Sequence, residues 1–129
     1  MTGKVIYNLL SNSTASTYVA DRIYPARRLQ EDDLPAITYS QISNTPTNTK
    51  DGPSVLDTER FTIHVWSKEY LNAMTIAGIV RDVLDRYTGL MEGVMVDSAS
   101  FVDQNHLYED WAEVHHIAID FNFRIKRNP

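Results

Sequence analysis

The sequence predicts an α+β fold, in which a mainly antiparallel sheet carries one long amphipathic helix on one face, with a short helix at the N-terminus. Two periodicities lead to this class. Phe61, Ile63 and Val65 alternate with polar residues, the period of a strand with one buried face. From Leu71 to Tyr87 the apolar residues recur every three or four positions, as on a helix with one apolar side. A sheet with one apolar face must cover it, so the helix is expected to pack there.

The long helix is predicted over residues 68–87. Ser67 stands where an N-cap hydroxyl would accept hydrogen bonds from the first free amides, and Glu69 would lie in the positive first turn. Thr88 and Gly89 supply a stop signal. The apolar positions that would face the sheet are Ala73, Ile76, Ala77, Val80, Leu84 and Tyr87.

The strands are predicted from alternation and from β-forming residues. Residues 114–125 alternate clearly, and residues 35–43 are rich in β-formers after a proline, which is tolerated at the start of a strand. Residues 35–43 and 57–66 would form an antiparallel hairpin. A further strand is predicted over 93–102, a polar turn over 103–110, a short extended piece at 22–24, and the N-terminal helix over 4–10.

Residues 44–54 are predicted to be a long loop at the tip of that hairpin, mobile in a free subunit. The segment contains Asn, Thr, Lys, Asp, Gly and two prolines, and no residue that could anchor a core. Loops of this kind carry binding more often than packing. The candidate interaction residues in it are Thr47, Asn48, Thr49, Lys50 and Asp51.

Length and composition indicate one compact domain over residues 1–129, with 43% hydrophobic residues to form its core. There is no cysteine, so a disulfide framework or a thiolate metal site is excluded. The apolar run at 5–10 is too short for a signal peptide or a membrane span, so a soluble, unprocessed protein without membrane contact is expected. The net charge of -5 has the wrong sign for tight binding of nucleic acid.

Four segments carry a family resemblance. They are the sequences LPAITYSQIS (34–43) and DTERFTIHVWSKEY (57–70), the helix that follows, with Ala77 and residues 80–84, and the early sequence RIYP (22–25). Together they resemble the small tail-completion or tail-terminator proteins of long-tailed, non-contractile phages, a widespread family of unknown-function domains. The resemblance covers nearly the whole chain, and each segment is a pattern of strand, proline and aromatic positions with no catalytic signature.

The resemblance implies a structural role in the virion. Proteins of this family form a ring, usually of six copies, that caps the finished tail tube, stops further polymerisation and joins the filled head. The implied partners are further copies of the chain, the tail-tube protein and a head-completion or connector protein, with DNA passing through the lumen without tight binding. The expected location is the tail at the head–tail junction, after synthesis in the host cytoplasm. Which of the related neck rings it forms is left open.

Two further groups of residues are candidates for interaction. Trp66 and Trp111 are large aromatic residues that could anchor an interface or pack at the edge of the core. A charged segment is typical of a solvated loop, although in a ring its basic and acidic parts could pair between neighbouring subunits. That segment contains Arg27, Arg28, Glu31, Asp32 and Asp33.

The sequence does not predict an enzyme, a metal site or a cofactor. The best acid–base or metal candidates are His106, Glu109, Asp110, Glu113, His115 and His116. His115 and His116 are adjacent in a predicted strand and therefore point to opposite faces, which favours solvated side chains over a shared site. There is no cysteine nucleophile or Gly-x-Ser-x-Gly elbow, and the five glycines form no phosphate-binding loop.

One alternative from another functional class stays open. The chain could be a monomeric or dimeric binding module, of the host or of a mobile element, that uses the polar face of the sheet. A binding module of this kind is expected to be a monomer or dimer at every concentration, whereas the phage tail protein is expected to form a ring-sized assembly.

Overall fold

The computed structural model describes residues 2–26, 34–49, 52–110 and 113–126 of the chain. The helices are α1 (Thr2–Ser11), α2 (Ala15–Tyr18) and α3 (Tyr70–Leu84). The strands are β1 (Ile23–Pro25), β2 (Ala36–Thr49), β3 (Gly52–Ser67), β4 (Gly89–Met91), β5 (Val94–Glu109) and β6 (Val114–Lys126). No helix among these residues is long and apolar enough to cross a membrane.

The predicted α+β class with a long amphipathic helix is wrong, because the protein is mainly β. More than half of the described residues lie in strands, and the six-stranded sheet curls into a half-barrel. The longest helix has 15 residues. The strands are longer than their apolar patterns because polar segments also pair through backbone hydrogen bonds, which require no apolar side chain.

The sheet has the strand order β1-β2-β3-β6-β5-β4. Only β1 and β2 run parallel, and every other neighbouring pair is antiparallel. The central pair is β3 and β6, aligned from Leu56 opposite Lys126 to Ser67 opposite His115. The short extended piece, the final strand and the short N-terminal helix are confirmed, as β1, β6 and α1.

The loop predicted over 44–54 is wrong, since both strands of the hairpin continue through it. β2 runs to Thr49, which lies opposite Gly52 at the start of β3. Two register shifts, between Gln41 and Ser43 and between Pro46 and Asn48, interrupt the pairing. The end of the hairpin, at residues 48–53, extends past the described end of β6, and its sequence shows no apolar alternation.

The other long hairpin shows the same error. The strand predicted over 93–102 continues through the predicted polar turn at 103–110, as β5 reaches Glu109 opposite Val114 of β6. A register shift between Phe101 and Asp103 separates the apolar half of β5 from its polar half. Strand β4 was not predicted, and Glu92 and Gly93, both with positive φ, connect it to β5 in a tight turn.

Helix α3 begins later than predicted because Ser67 belongs to β3. Its N-cap position is Glu69, and no side chain caps it. The Ser67 hydroxyl instead accepts hydrogen bonds from the Glu69 amide at 3.2 Å and from the Asn72 side-chain amide at 3.1 Å. Ser67 therefore holds the strand-to-helix turn without being its cap.

The same helix ends at Leu84, before the predicted stop at Thr88 and Gly89. The amide of Arg86, a residue with φ of 65°, donates to the carbonyl of Ala99 at 2.8 Å. The Asp85 carboxylate accepts a hydrogen bond of 3.0 Å from the amide of Phe101. These bonds to β5 replace those that a longer helix would make.

The core lies between one face of the sheet and helices α1 and α3. Phe121 and Phe123 of β6 are fully buried, and Phe61 packs edge to face on Phe123 with 6.0 Å between ring centroids. The buried residues of α3 are Ala73, Ile76, Ala77, Val80 and Leu84. At the start of α1, the buried Thr2 hydroxyl donates to the buried carboxylate of Glu59 on β3. Hence α1 is joined to the sheet by a polar contact as well as by apolar packing.

Candidate interaction surfaces

The structure describes only some of the predicted interaction residues. Arg27, Arg28, Glu31, Asp32, Asp33, Lys50, Asp51 and Trp111 lie outside the described residues. Thr47, Asn48 and Thr49 are the last positions of β2. Trp66 is the one candidate with described side-chain contacts. The pairing of basic and acidic patches between neighbouring subunits stays a prediction.

Trp66 lies on the polar face of the sheet, the face opposite the core that bears Thr62, His64 and Trp66 of β3 and His116 and Asp120 of β6. Its indole ring stacks on the His116 imidazole, with 3.8 Å between centroids and 10° between planes. The indole N–H donates to the Thr38 hydroxyl of β2 at 3.0 Å. Contacts on both sides within its own subunit therefore fix the orientation of Trp66.

Two histidines on the polar face form a hydrogen-bonded pair. Nδ1 of His64 lies 2.7 Å from Nε2 of His116, and Nδ1 of His116 lies 3.2 Å from the Glu109 carboxylate. A carboxylate accepts, so His116 carries its proton on Nδ1 and its Nε2 accepts the Nδ1–H of His64; this assigns the tautomers from the hydrogen-bond pattern. A chain of hydrogen bonds thus links β3 through β6 to β5.

Both members of this pair favour the neutral form. Burial, together with the neighbouring His116, lowers the pKa of His64 to about 4, against an opposing effect of Asp120. Burial also lowers the pKa of His116, although the hydrogen bond and charge of Glu109 oppose the shift. Near neutral pH the pair therefore contributes a hydrogen bond and carries no charge.

A second polar cluster lies beside the histidines. The Asp120 carboxylate accepts hydrogen bonds from Arg60 at 2.8 Å and from the Thr62 hydroxyl at 2.7 Å. Burial alone would raise the pKa of Asp120, but these two hydrogen bonds and the charge of Arg60 outweigh it and lower the pKa. The polar face is thus internally hydrogen-bonded across its two central strands.

Two further acid–base candidates, His106 and His115, do not join this cluster. As expected from strand geometry, His115 and His116 face opposite sides of the sheet. His115 instead lies 3.0 Å from His106, nitrogen to nitrogen, beside the ring of Tyr70. Within the described part of the chain, no three His, Asp or Glu side chains are placed to hold a metal ion.

Sequence reasoning gave no role to His64, although a signal was present. The alternation in β3 places residues 62, 64 and 66 on one face, and that in β6 places 116, 118 and 120 on one face. What the sequence could not provide is the register that sets Trp66 opposite His116. Without the register, the histidines could not be paired.

A cleft of about 410 Å³ lies beside α1, between the two sides of the half-barrel. It is lined by Lys4, Tyr7 and Asn8 of α1, by Tyr39 of β2 and by Glu92 of the β4–β5 turn, among others. A hydrogen bond of 2.9 Å from the Asn8 side chain to Glu92 crosses it. This bond joins α1 to the β4 side of the sheet.

Comparison with known protein families identifies the family of this chain. A family model described as "Tail completion protein gp17" matches residues 4–126, from α1 to the end of β6. The chain belongs to this tail completion family. The resemblance read from the sequence is thereby confirmed, and the tail completion protein described here is a structural component of the phage tail in the virion.

A solved structure shows the same fold. It is a chain of a particle described as "Virion of native gene transfer agent (GTA) particle", with a TM-score of 0.72 and 17% sequence identity. The match covers 94% of this chain and 91% of that chain. At this identity the likeness establishes the fold and nothing more specific. No curated protein sequence matches the chain.

Proposed function

We propose that this tail completion protein forms a ring at the head-proximal end of the tail tube, ends tail polymerisation and presents the surface that joins the filled head. The observation that carries the proposal is the family match, which spans residues 4–126. The proposed partners are further copies of the chain, six to a ring, the tail-tube protein and a head-completion or connector protein.

The structure supports a binding role over a catalytic one. On the polar face, the polar groups of the two central strands are engaged with one another, and the paired histidines are neutral near pH 7. A general acid or base needs a proton-donating or proton-accepting atom directed at a substrate, whereas these atoms are directed at each other. The protein is proposed to be a structural component and not an enzyme.

The charge supports the proposed relation to DNA. A net charge of -5 opposes binding to phosphates, so DNA would pass through the ring without being held tightly.

The long β2–β3 hairpin, which extends past the described end of β6, offers a surface that can reach a neighbouring ring.

Deletion of the gene tests the proposal. Electron micrographs of the deletion strain should show filled heads together with unjoined, overlong tail tubes, and a plasmid copy of the gene should restore complete particles. Tail tubes of normal length that remain unjoined would instead indicate that the protein forms a connector ring of the neck. Normal infectious particles from the deletion strain would exclude both roles.

A further inference from the structure

The outward side of α3 over residues 70–80 is an exposed strip without charge. Leu71 is 76% exposed, and Met74, Thr75 and Gly78 are exposed on the same side of the helix, at spacings of three, four and seven residues; these four residues are the α3 strip. The Thr75 hydroxyl donates to the Leu71 carbonyl at 2.9 Å, so its polar atom is already satisfied within the helix. Residues 70–80 include no Asp, Glu, Lys or Arg. Exposed apolar surface of this kind marks an interaction site.

Gly78 provides an independent observation at the same place. A Cβ atom at this position would meet no other atom within 4 Å, so packing inside the subunit does not require glycine. Glycine in a helix interior is destabilising relative to alanine. A backbone from another chain that approaches α3 closely would require it, because only glycine leaves room there.

A second uncharged surface lies on β2. Residues 41–46, here named the β2 edge, are all exposed, and Ile42 is 58% exposed. Strand β1 pairs with β2 only over residues 37–39, so within the described residues no further strand covers the β2 edge. Exposed edge strands are normally protected from pairing by charged residues, prolines or bulges. Strand β2 has Pro46 and two register shifts, but no charged residue in Ala36–Thr49.

The two surfaces both lack charged residues and lie at different places on the subunit. Protein interfaces are depleted of charged residues at their centre and enriched in aromatic residues and methionine, as the α3 strip and the adjoining Tyr70 are. The β2 edge lies toward one margin of the sheet, whereas the segment after α3 bonds to β5 toward the other margin. A contact between two different surfaces of one chain is heterologous, and it generates a ring when the rotation between copies closes.

We propose that the α3 strip of one copy contacts the β2 edge of the next copy, with Gly78 allowing the strand backbone to approach the helix. This inference rests on the proposed ring and names its subunit interface. The neighbour is thus a second copy of this chain and not the tail-tube protein.

Engineered cysteines test the contact, since the chain contains none of its own. The double variant Ile42→Cys with Leu71→Cys would be expressed in the deletion strain, and purified particles would be treated with a short bis-maleimide. Denaturing gels should then show a ladder from dimer up to the full ring, because every subunit is joined to two neighbours. Each single variant should give no such ladder.

The matched control moves one cysteine to another exposed leucine. Leu90 is 67% exposed and lies on β4, outside both surfaces, so Ile42→Cys with Leu90→Cys should give no ladder. Particles that contain the first double variant without forming a ladder would overturn the inference. If particles form without a ladder and the deletion strain shows unjoined, overlong tails, the proposed function stands and only the subunit contact is overturned. Normal particles from the deletion strain would overturn the proposed function and the proposed contact together.

Substitution of Gly78 provides a second test with opposite effects on subunit and assembly. Gly78→Ala should raise the melting temperature of the isolated subunit while lowering the yield of joined particles, and Gly78→Leu should lower that yield at least tenfold. Asp97→Ala, an exposed change on β5 outside both surfaces, serves as the control and should leave the yield unchanged. A normal yield from a folded Gly78→Leu protein would contradict the proposed close approach.

Discussion

The central strands and the β2 segment at residues 41–46 have the same secondary structure for different physical reasons. In the centre, Ile63 and Val65 of β3 lie opposite Ile119 and Ile117 of β6, and all four side chains are fully buried. In the hairpin, the side chains at 41–46 are exposed. Burial of apolar area stabilises the first region, whereas the second depends on backbone pairing across a short connection.

The most severe test of this comparison places a charge in the central strands. Phe121 is 0% exposed on β6 and contacts the rings of Phe101 and Phe123. Phe121→Asp should lose several kcal/mol, comparable with the whole stability of a small domain, because its carboxylate would be buried without a partner. Urea denaturation measures the loss. Val102→Asp, the same kind of change at an exposed position of β5, is the control and should stay within about 0.5 kcal/mol.

That difference also explains which parts of the fold could be read from the sequence. Strands were located where one face is buried, because burial imposes alternation on side chains, as at Phe61, Ile63 and Val65. Residues 44–49 and 103–109 were assigned to a loop and a turn because their composition is polar, although both are strands. Helix α3 is extended to Tyr87 by its apolar spacing and by the stop signal at Thr88 and Gly89, because the bonds of Asp85 and Arg86 to β5 cannot be read from the sequence.

The candidate surfaces were less accessible to sequence reasoning than the fold. Trp66 was identified by its size, but its partners Thr38 and His116 come from two other strands. Their meeting depends on register, which one sequence does not determine. The α3 strip cannot be recognised in the sequence for another reason. The helical spacing identifies the residues that face the sheet and gives no role to Leu71 and Met74 on the opposite side.

Acidification is the second way to sharpen the comparison, and it acts on the polar face of the central strands. Because the folded state lowers the pKa of His64 to about 4 from 6.5, the unfolded chain binds more protons between these values. The stability contributed by neutral His64 is therefore complete above pH 6.5 and is lost as the pH falls toward 4. The expected loss is about 1–2 kcal/mol, after allowance for the partial exposure of the ring.

Urea denaturation from pH 7 to pH 4.5 measures this loss, and His64→Gln should reduce the slope. The carboxylates of Glu109 and Asp120 and the guanidinium of Arg60 lie beside the pair. Burial lowers the pKa of His116 as well, so the slope that remains in this variant reports on His116. His106→Gln, on the opposite face and exposed, is the control. An unchanged slope in His64→Gln would show that the pair does not govern the acid response.

A smaller effect is expected from the ion pair on the same face. Arg60→Ala removes a hydrogen bond to Asp120, but the Arg60 side chain is 42% exposed and is screened by water. The loss should be about 0.5–1 kcal/mol and should shrink at high salt. Arg124→Ala, an exposed arginine on the same strand as Asp120, is a suitable control. A loss above 2 kcal/mol would mean that the polar face contributes as much as the core.

The smallest effect on stability is expected at the far end of the hairpin. In the described structure, β6 ends opposite Leu56, and beyond it Asn48 and Thr49 pair with Pro53 and Gly52 across the hairpin. Replacing residues 48–53 with an Asn-Gly turn closes the same two strands with a favoured connection. Loop-closure entropy changes slowly with length, so the unfolding free energy should change by less than about 1 kcal/mol.

The same shortened variant separates the stability of the subunit from its assembly. If the hairpin end contacts a neighbouring subunit or ring, the variant should fold normally and yet restore few joined particles in the deletion strain. Thr58→Ala, on β3 and outside the β2 edge, keeps the hairpin length and is the control. Full infectivity of the shortened variant would assign the hairpin end to solvent, whereas a large loss of stability would show that the central strands depend on the pairing at the hairpin end.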